Sequence, residues 1–301
     1  MSDTMRAREM ATAVLGWDPG PMAAIASLSH QVHIGAEVVV KIIDSARHTR
    51  LTREIALAPH LPAGITAPLL ASGTHPFDGG EALLACYARV PGTTPGQGLP
   101  EADERTARIL AEQAVERLRR LHDWIPAASA VPVLREPLDH GGFTGRAGLL
   151  AEVGALTGSV VPAGLVDGLT ALAAGAPERS GAHIPVHADC HWGNWLATGA
   201  TVTVLLDFEW ARFGDPLDDW FFLIADSGRH RRAVLAVVSE ATGLSPDELT
   251  AACEIRHANY LAADIRLALS DPAAHGALLA PRLDQLSEVI GCRTWWKSSV
   301  D

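Results

Sequence analysis

The chain counts 301 residues, of which 48% are apolar, 5% aromatic and 20% charged, a composition that excludes a disordered tail, a coiled coil and a collagen-like repeat. Its length predicts two lobes or one large α/β unit. Thirty-five acids against twenty-four bases leave a formal charge of −11, which argues against nucleic acid or an anionic lipid surface as a partner.

Cys86, Cys190, Cys253 and Cys292 lie at wide intervals with no CxxC pair, so neither a disulfide framework nor a zinc ribbon is indicated. The opening MSDTMRAREMATAV mixes acids among its bases without an apolar h-region, and no uncharged stretch has membrane-spanning character. A cytoplasmic setting with no membrane partner is the expectation.

Residues 3–15 read as an amphipathic helix opened by Asp3 or Thr4, and Pro19, Gly20 and Pro21 break it. Two β-rich runs, HQVHI and EVVVKII, flank Gly35 as in a hairpin. Residues 46–59 return to helical composition, and the runs APLLAS and ALLACYARV read as two further strands. Pro91, Gly92, Pro95, Gly96 and Gly98 then close the strand region. That cluster sets the expected boundary between a lobe over 1–90 and a lobe over 91–301. Beyond it Ala107, Leu110, Ala111, Ala114, Leu118 and Leu121 recur at helical spacing, predicting a long helix over 101–123 packed on one face. The remainder reads as helical except for a small hairpin around the Gly199 turn. Ser245, Pro246 and Glu248 spell the N-terminal capping box of another helix.

The segment His187–Asn194, HADCHWGN, precedes Asp207 by one hairpin. An Asp, an Asn five positions on and a second Asp across the hairpin are what phosphoryl transfer needs. One carboxylate accepts the proton of a substrate hydroxyl, while an amide oxygen and another carboxylate hold Mg²⁺ against nucleotide phosphates.

These residues make the chain resemble the aminoglycoside phosphotransferase and choline kinase-like family, whose signature HGDxxxxN, IDxE, GDPxxD appears here as HADCHWGN, LDFE (206–209) and GDPLDD (214–219). Ala188 stands where the family has Gly. The resemblance implies an α+β, bilobal, protein-kinase-like fold with a small antiparallel-sheet N-lobe and a larger, mainly helical C-lobe. It implies Asp189 as catalytic base, Asn194 and Asp207 as Mg²⁺ ligands, and structural roles for His187 and Asp219. In the first lobe it implies that Lys41 meets the nucleotide's α/β-phosphates and that Glu54 holds the Lys41 ammonium. It further implies that the loop 27–32, with Ser29, covers the phosphates. The purine edge would meet the Ala88 carbonyl and the Val90 amide.

Other readings attach to the same residues. His187, Asp189 and His191 alternate as HxDxH, a pattern also suited to a transition metal, but that leaves Asn194, Asp207 and GDPLDD unexplained. Cys190 reads as a buried small side chain, since no base pattern accompanies it. Trp192, Trp195, Trp210 and Trp220 read as core, with one or two beside a substrate. On the helix after Ser245, one stripe runs Ala251, Ile255, Ala258, Ala262, Ile265, Leu269, and an opposite stripe Cys253, His257, Tyr260, Asp264. The second stripe faces either a substrate pocket or solvent. Glu254, Asp264 and Asp301 are the acids on offer to a polycationic acceptor.

Together these features predict an enzyme that moves the γ-phosphoryl group of ATP or GTP, with Mg²⁺, to a hydroxyl of a small molecule. Antibiotic inactivation is one role; phosphorylation of choline, an amino alcohol or a sugar is the nearest alternative. A nucleotide-binding pseudokinase is the rival of a different class, opposed by the joint presence of Lys41, Asp189, Asn194 and Asp207. Acceptor identity, donor choice and oligomeric state are not written in the sequence.

Overall fold

A computed structural model describes residues 3–27, 30–44, 50–77, 80–138, 140, 142–181 and 183–292. The first lobe is built on five antiparallel strands: β1 (Ala23–Ile25), β2 (Gln31–Ile34), β3 (Val38–Asp44), β4 (Leu69–Phe77) and β5 (Gly80–Ala88), in the order β1-β2-β3-β5-β4. In β3 the side chains alternate, so Val38, Val40 and Ile42 turn to one face and pack with Leu84 and Cys86 against Ala7, Met10 and Ala11 of helix α1 (Asp3–Leu15). On the other face Ile43, Ala85 and Tyr87 meet Leu51 of helix α2 (Arg50–Leu57). The sheet thereby lies between two helices, and Lys41, paired across to Ala85, leaves it on the α2 side.

The second lobe begins with α3 (Glu104–His122), whose predicted face is buried in full, with Val115 added, and whose N-cap Asp103 accepts from the Thr106 amide. It continues through α4 (Ala130–Arg135), α5 (Arg146–Leu156) and α6 (Ala163–Ala174) to a strand-bearing stretch of β6 (Ile184–Val186), β7 (Trp195–Thr198), β8 (Thr201–Leu205) and β9 (Arg212–Gly214). The β7–β8 hairpin turns at Gly199, whose φ of 58° places it in the left-handed region. Pairing of β6 with β9 was not anticipated, because three-residue strands are too short to show a period. Helices α7 (Pro216–Ala225), α8 (Arg231–Thr242), α9 (Pro246–Ser270), α10 (Pro272–His275) and α11 (Leu279–Cys292) complete it. The Ser245–Glu248 capping box of α9 is formed in both directions.

Two cores result. One joins α3, α7 and α8 to the hairpin around the fully buried Trp192 and Trp195, with Phe208 and Trp220. The other joins α5, α6, α9 and α11. Helix α9 divides them, so its two predicted stripes need correction: Ala251 is exposed, and Cys253 belongs to the first core and not to a pocket. Among the described residues no helix is long and apolar enough to cross a membrane. The bilobal α+β architecture expected from the sequence is the one observed.

Candidate active site

The loop 187–194 is fastened from beneath by one carboxylate. Asp219, in the first turns of α7 and fully buried, accepts from the His187 amide (3.0 Å), the Ala188 amide (2.7 Å) and His122 Nε2 (2.9 Å). Burial alone penalises this charge, but its donors, His122 foremost, outweigh that and hold it below the usual carboxylate range. The turn needs a left-handed residue, and Ala188 takes that conformation with φ 63° despite its methyl. His187 bonds the Leu206 carbonyl through Nε2 (2.8 Å) and accepts the Asp189 amide at Nδ1 (3.2 Å). Both ring nitrogens are therefore engaged, and burial lowers its pKa to about 4. The HxDxH metal reading fails on this geometry.

Asp189 and Asn194 meet at the top of the loop, where Asn194 Nδ2 donates to the Asp189 carbonyl (2.8 Å) and to Asp189 Oδ2 (3.1 Å). Both amide hydrogens are thus turned to Asp189, which leaves the Asn194 side-chain oxygen as an outward acceptor. The Leu206 amide donates to the Asn194 carbonyl (2.7 Å), tying the two ends of the hairpin together. Asp207 follows in a left-handed conformation, φ 68°. Its Oδ1 lies 2.8 Å from Lys41 Nζ, which also lies 2.8 and 3.0 Å from the two oxygens of Glu54. Burial opposes the Lys41 charge, but Asp207 and Glu54 outweigh it and raise its pKa. Lys41 in turn holds Asp207 ionised against its own burial.

Further carboxylates crowd this end of the cleft. Burial, then repulsion from Asp207 and Glu209, raises Asp189 well above the usual carboxylate range. Burial and Asp207 push Glu209 up to about 8. Glu209 Oε2 lies 3.3 Å from His30 Nε2, and His30, Asp207 and Glu209 bring one ligand atom each within 4.8 Å of one another. Arg50 reaches Glu209 at 3.9 Å and stacks on Trp210. Arg50 carried no sequence signal, and His30 lies in the loop 27–32 expected over the phosphates, where no pattern singled it out.

From this point a cavity of about 860 Å³ opens toward α9 and α11. Asp189, Asn194 and Asp207 line it, and so do His257, Tyr260 and Asp264. Trp210 is the tryptophan that borders it; Trp192, Trp195 and Trp220 are core. Asp264 is not a free anion: Arg282 Nε donates to its Oδ2 (2.6 Å), and His140 Nε2 lies 3.5 Å from its Oδ1. Arg212, Arg256 and Arg282, which sequence reasoning passed over, also line this half. Ala88 and Val90 lie at the end of β5, outside the cavity lining. There the Arg89 amide donates to the Glu37 carbonyl (2.7 Å) on the β3 side, and the Ala88 amide donates to the Pro68 carbonyl (2.8 Å) on the side turned from β3. Ser29 and Asp301 fall outside the described residues.

The family model described as the phosphotransferase enzyme family matches residues 24–253. Among solved structures, the GDP and kanamycin complex of APH(2")-IIia superposes with a TM-score of 0.73 at 17% identity, covering 96% of this chain and 99% of that one. A choline/ethanolamine kinase family protein from Mesorhizobium loti gives 0.65 at 19%, covering 98% and 97%. Macrolide 2'-phosphotransferase MphH from Brachybacterium faecium gives 0.63 at 17%, covering 96% and 97%. At these identities the likeness is one of fold. No curated protein matches the chain in sequence.

Proposed function

The chain belongs to the phosphotransferase enzyme family, and from that premise we propose that it moves the γ-phosphoryl group of ATP or GTP to a hydroxyl of a small molecule held in the cavity. The observation that carries the reading is the convergence on one ammonium: Lys41 lies within 3.0 Å of Glu54 on α2 and of Asp207 beyond the hairpin, which joins the two lobes at the mouth of the cleft. We assign residues 1–90 to nucleotide binding and 91–301 to catalysis and acceptor binding.

In this reading Lys41 meets the α/β-phosphates and Glu54 keeps its ammonium in place. The Ala88 carbonyl and Val90 amide, at the end of β5, receive the purine edge. Asp189 accepts the hydroxyl proton; its raised pKa makes it a stronger base than an exposed aspartate. His257, Tyr260 and Asp264 form the acceptor wall. An ionised Asp207 and the outward Asn194 oxygen are hard oxygen donors that fit Mg²⁺. Bound there, Mg²⁺ would neutralise phosphate charge. The protein's own contribution is to align hydroxyl, base and phosphorus before reaction.

The test is a phosphorylation screen of the purified chain against antibiotics, amino alcohols and sugars, with Mg-ATP and Mg-GTP as donors, read by mass spectrometry of the acceptor. Phosphorylation of an antibiotic supports a resistance role and of an amino alcohol or sugar a metabolic one. Failure of the folded chain to bind either nucleotide overturns the assignment.

A further inference from the structure

The half of the cavity beyond the catalytic loop is balanced in charge and walled with rings. Setting aside Arg50, Asp189, Asp207 and Glu209 at the nucleotide end, four arginines and four acidic residues border it. The buried acids are paired: Asp218 with Arg212 (3.1 Å) and Arg256 (3.0 Å), Asp264 with Arg282 (2.6 Å). Asp226 accepts the Trp192 amide (2.7 Å), and Glu288 is exposed at the rim. An ammonium entering against Asp218 or Asp264 would have to displace a guanidinium from a buried carboxylate and leave that guanidinium uncompensated.

Around these pairs runs an unbroken row of rings, all bordering the cavity. Trp210 lies 6.1 Å from His140, His140 4.9 Å from Tyr260, Tyr260 5.7 Å from Phe222, Phe222 5.1 Å from Phe221, and Phe221 5.5 Å from His257. Burial lowers both histidines, His257 to about 4, so neither adds charge near neutral pH. Arg282 both stacks on Tyr260, at 5.1 Å from its centroid, and donates to its hydroxyl (3.2 Å). It fixes the Tyr260 ring and neutralises Asp264 at once.

We propose that the acceptor is a hydroxylated molecule presenting a neutral apolar or planar ring face to this row, and that Arg282 excludes polycationic amines by occupying Asp264. This rests on the phosphotransferase reading of the cleft and names its acceptor class.

Calorimetric binding without nucleotide tests it, with kanamycin as the polycation and uridine and erythronolide B as neutral hydroxylated probes. At least one neutral probe is expected to bind about tenfold more tightly than kanamycin, and Tyr260→Ala to weaken it about tenfold. Arg282→Ala is expected to improve kanamycin binding by about tenfold at low salt and to lose that gain at high salt. Should that variant not fold, Asp264→Asn decides: kanamycin binding unchanged supports the proposal, and salt-dependent weakening overturns it. Kanamycin binding more tightly than both neutral probes, or neither neutral probe binding, also overturns it. Separate titrations with Mg-ATP and Mg-GTP report on the phosphotransfer reading, so the two failures are distinct.

Discussion

Around Lys41 one cation serves two carboxylates, Glu54 and Asp207, with Asp189 and Glu209 close behind. Around Asp218 the charges are matched: Arg212 and Arg256 share Asp218, and Arg256 reaches Asp215 as well (3.0 Å), two cations to two carboxylates. The first arrangement sets two carboxylates against one ammonium, and burial together with Asp207 raises Asp189 and Glu209 beside it; more carboxylates than cations suit a place where cations and phosphates arrive together. The second is complete within the protein and fixes the shape of a wall. In the proposed reading, chemistry and specificity are separated by whether the charges are balanced before ligand binds.

The sharpest way to break that contrast is to remove a carboxylate from each side. Asp189→Asn should lower kcat by about 10²- to 10⁴-fold, the usual worth of a positioned proton acceptor, with nucleotide affinity nearly unchanged in calorimetry. Because Asp189 is buried among other acids, the amide should not destabilise the fold. Near-normal turnover would remove Asp189 from the mechanism.

On the other side, Asp218→Ala strands the buried Arg212 and leaves Arg256 with Asp215 alone. Breaking one partner out of a buried pair costs about 3–5 kcal/mol, so a lowered urea midpoint is expected here and not in Asp189→Asn. Equal stability of the two variants would mean that the charge balance argued for the acceptor wall has no energetic content.

The same division explains what the sequence disclosed. HADCHWGN, LDFE and GDPLDD each carry their polar residues at fixed spacings that can be read directly, and they fold onto one another, as Asp219 of the last holds the amides of 187 and 188 in the first. Lys41 and Glu54 were legible because the family resemblance asks for a lysine on a strand and an acid on the helix after it, and VVVKII and LTREIAL supply them. The acceptor wall is assembled across distance: Arg256 finds Asp218 from 38 residues away, and His140 meets Tyr260 from 120. Asp264 read as an acid on offer because Arg282, eighteen residues on, has no pattern linking it to α9. Arg256 and Asn259 lie buried on a helix whose apolar period alone was readable.

A third measurement follows the two buried histidines, one on each side: His187 behind the catalytic loop and His257 in the acceptor wall. Both fall from an ordinary 6.5 to about 4 on folding, chiefly through burial. Between those values each histidine binds its proton more readily in the unfolded chain, so its own contribution to stability rises with pH. That contribution is fully present above about 6.5 and declines as the pH falls toward 4, by on the order of 3 kcal/mol per histidine at most. Glu209, raised to about 8, acts in the opposite sense over the same range, so the measurement is a difference: between pH 7 and 4.5 the urea midpoint of His257→Gln should fall less, or rise more, than that of the unaltered chain. Identical pH profiles for the two proteins would mean that His257 titrates normally.

The smallest effect concerns the one position where the catalytic loop departs from the family signature. Ala188 sits at φ 63°, where a Cβ costs on the order of 1 kcal/mol through its clash with the following carbonyl. Replacement by Gly relieves that clash but frees the unfolded chain, which opposes it by about 0.4–1 kcal/mol. The two terms nearly cancel, so Ala188→Gly should change stability by less than about 1 kcal/mol, on the stabilising side. The loop's position is set by Asp219 through the amides of His187 and Ala188, which a glycine keeps, so kcat should hold. A large gain in kcat would show instead that the alanine methyl displaces Asp189 from its working geometry, and that the balance on the nucleotide side is tuned by backbone strain as well as by charge.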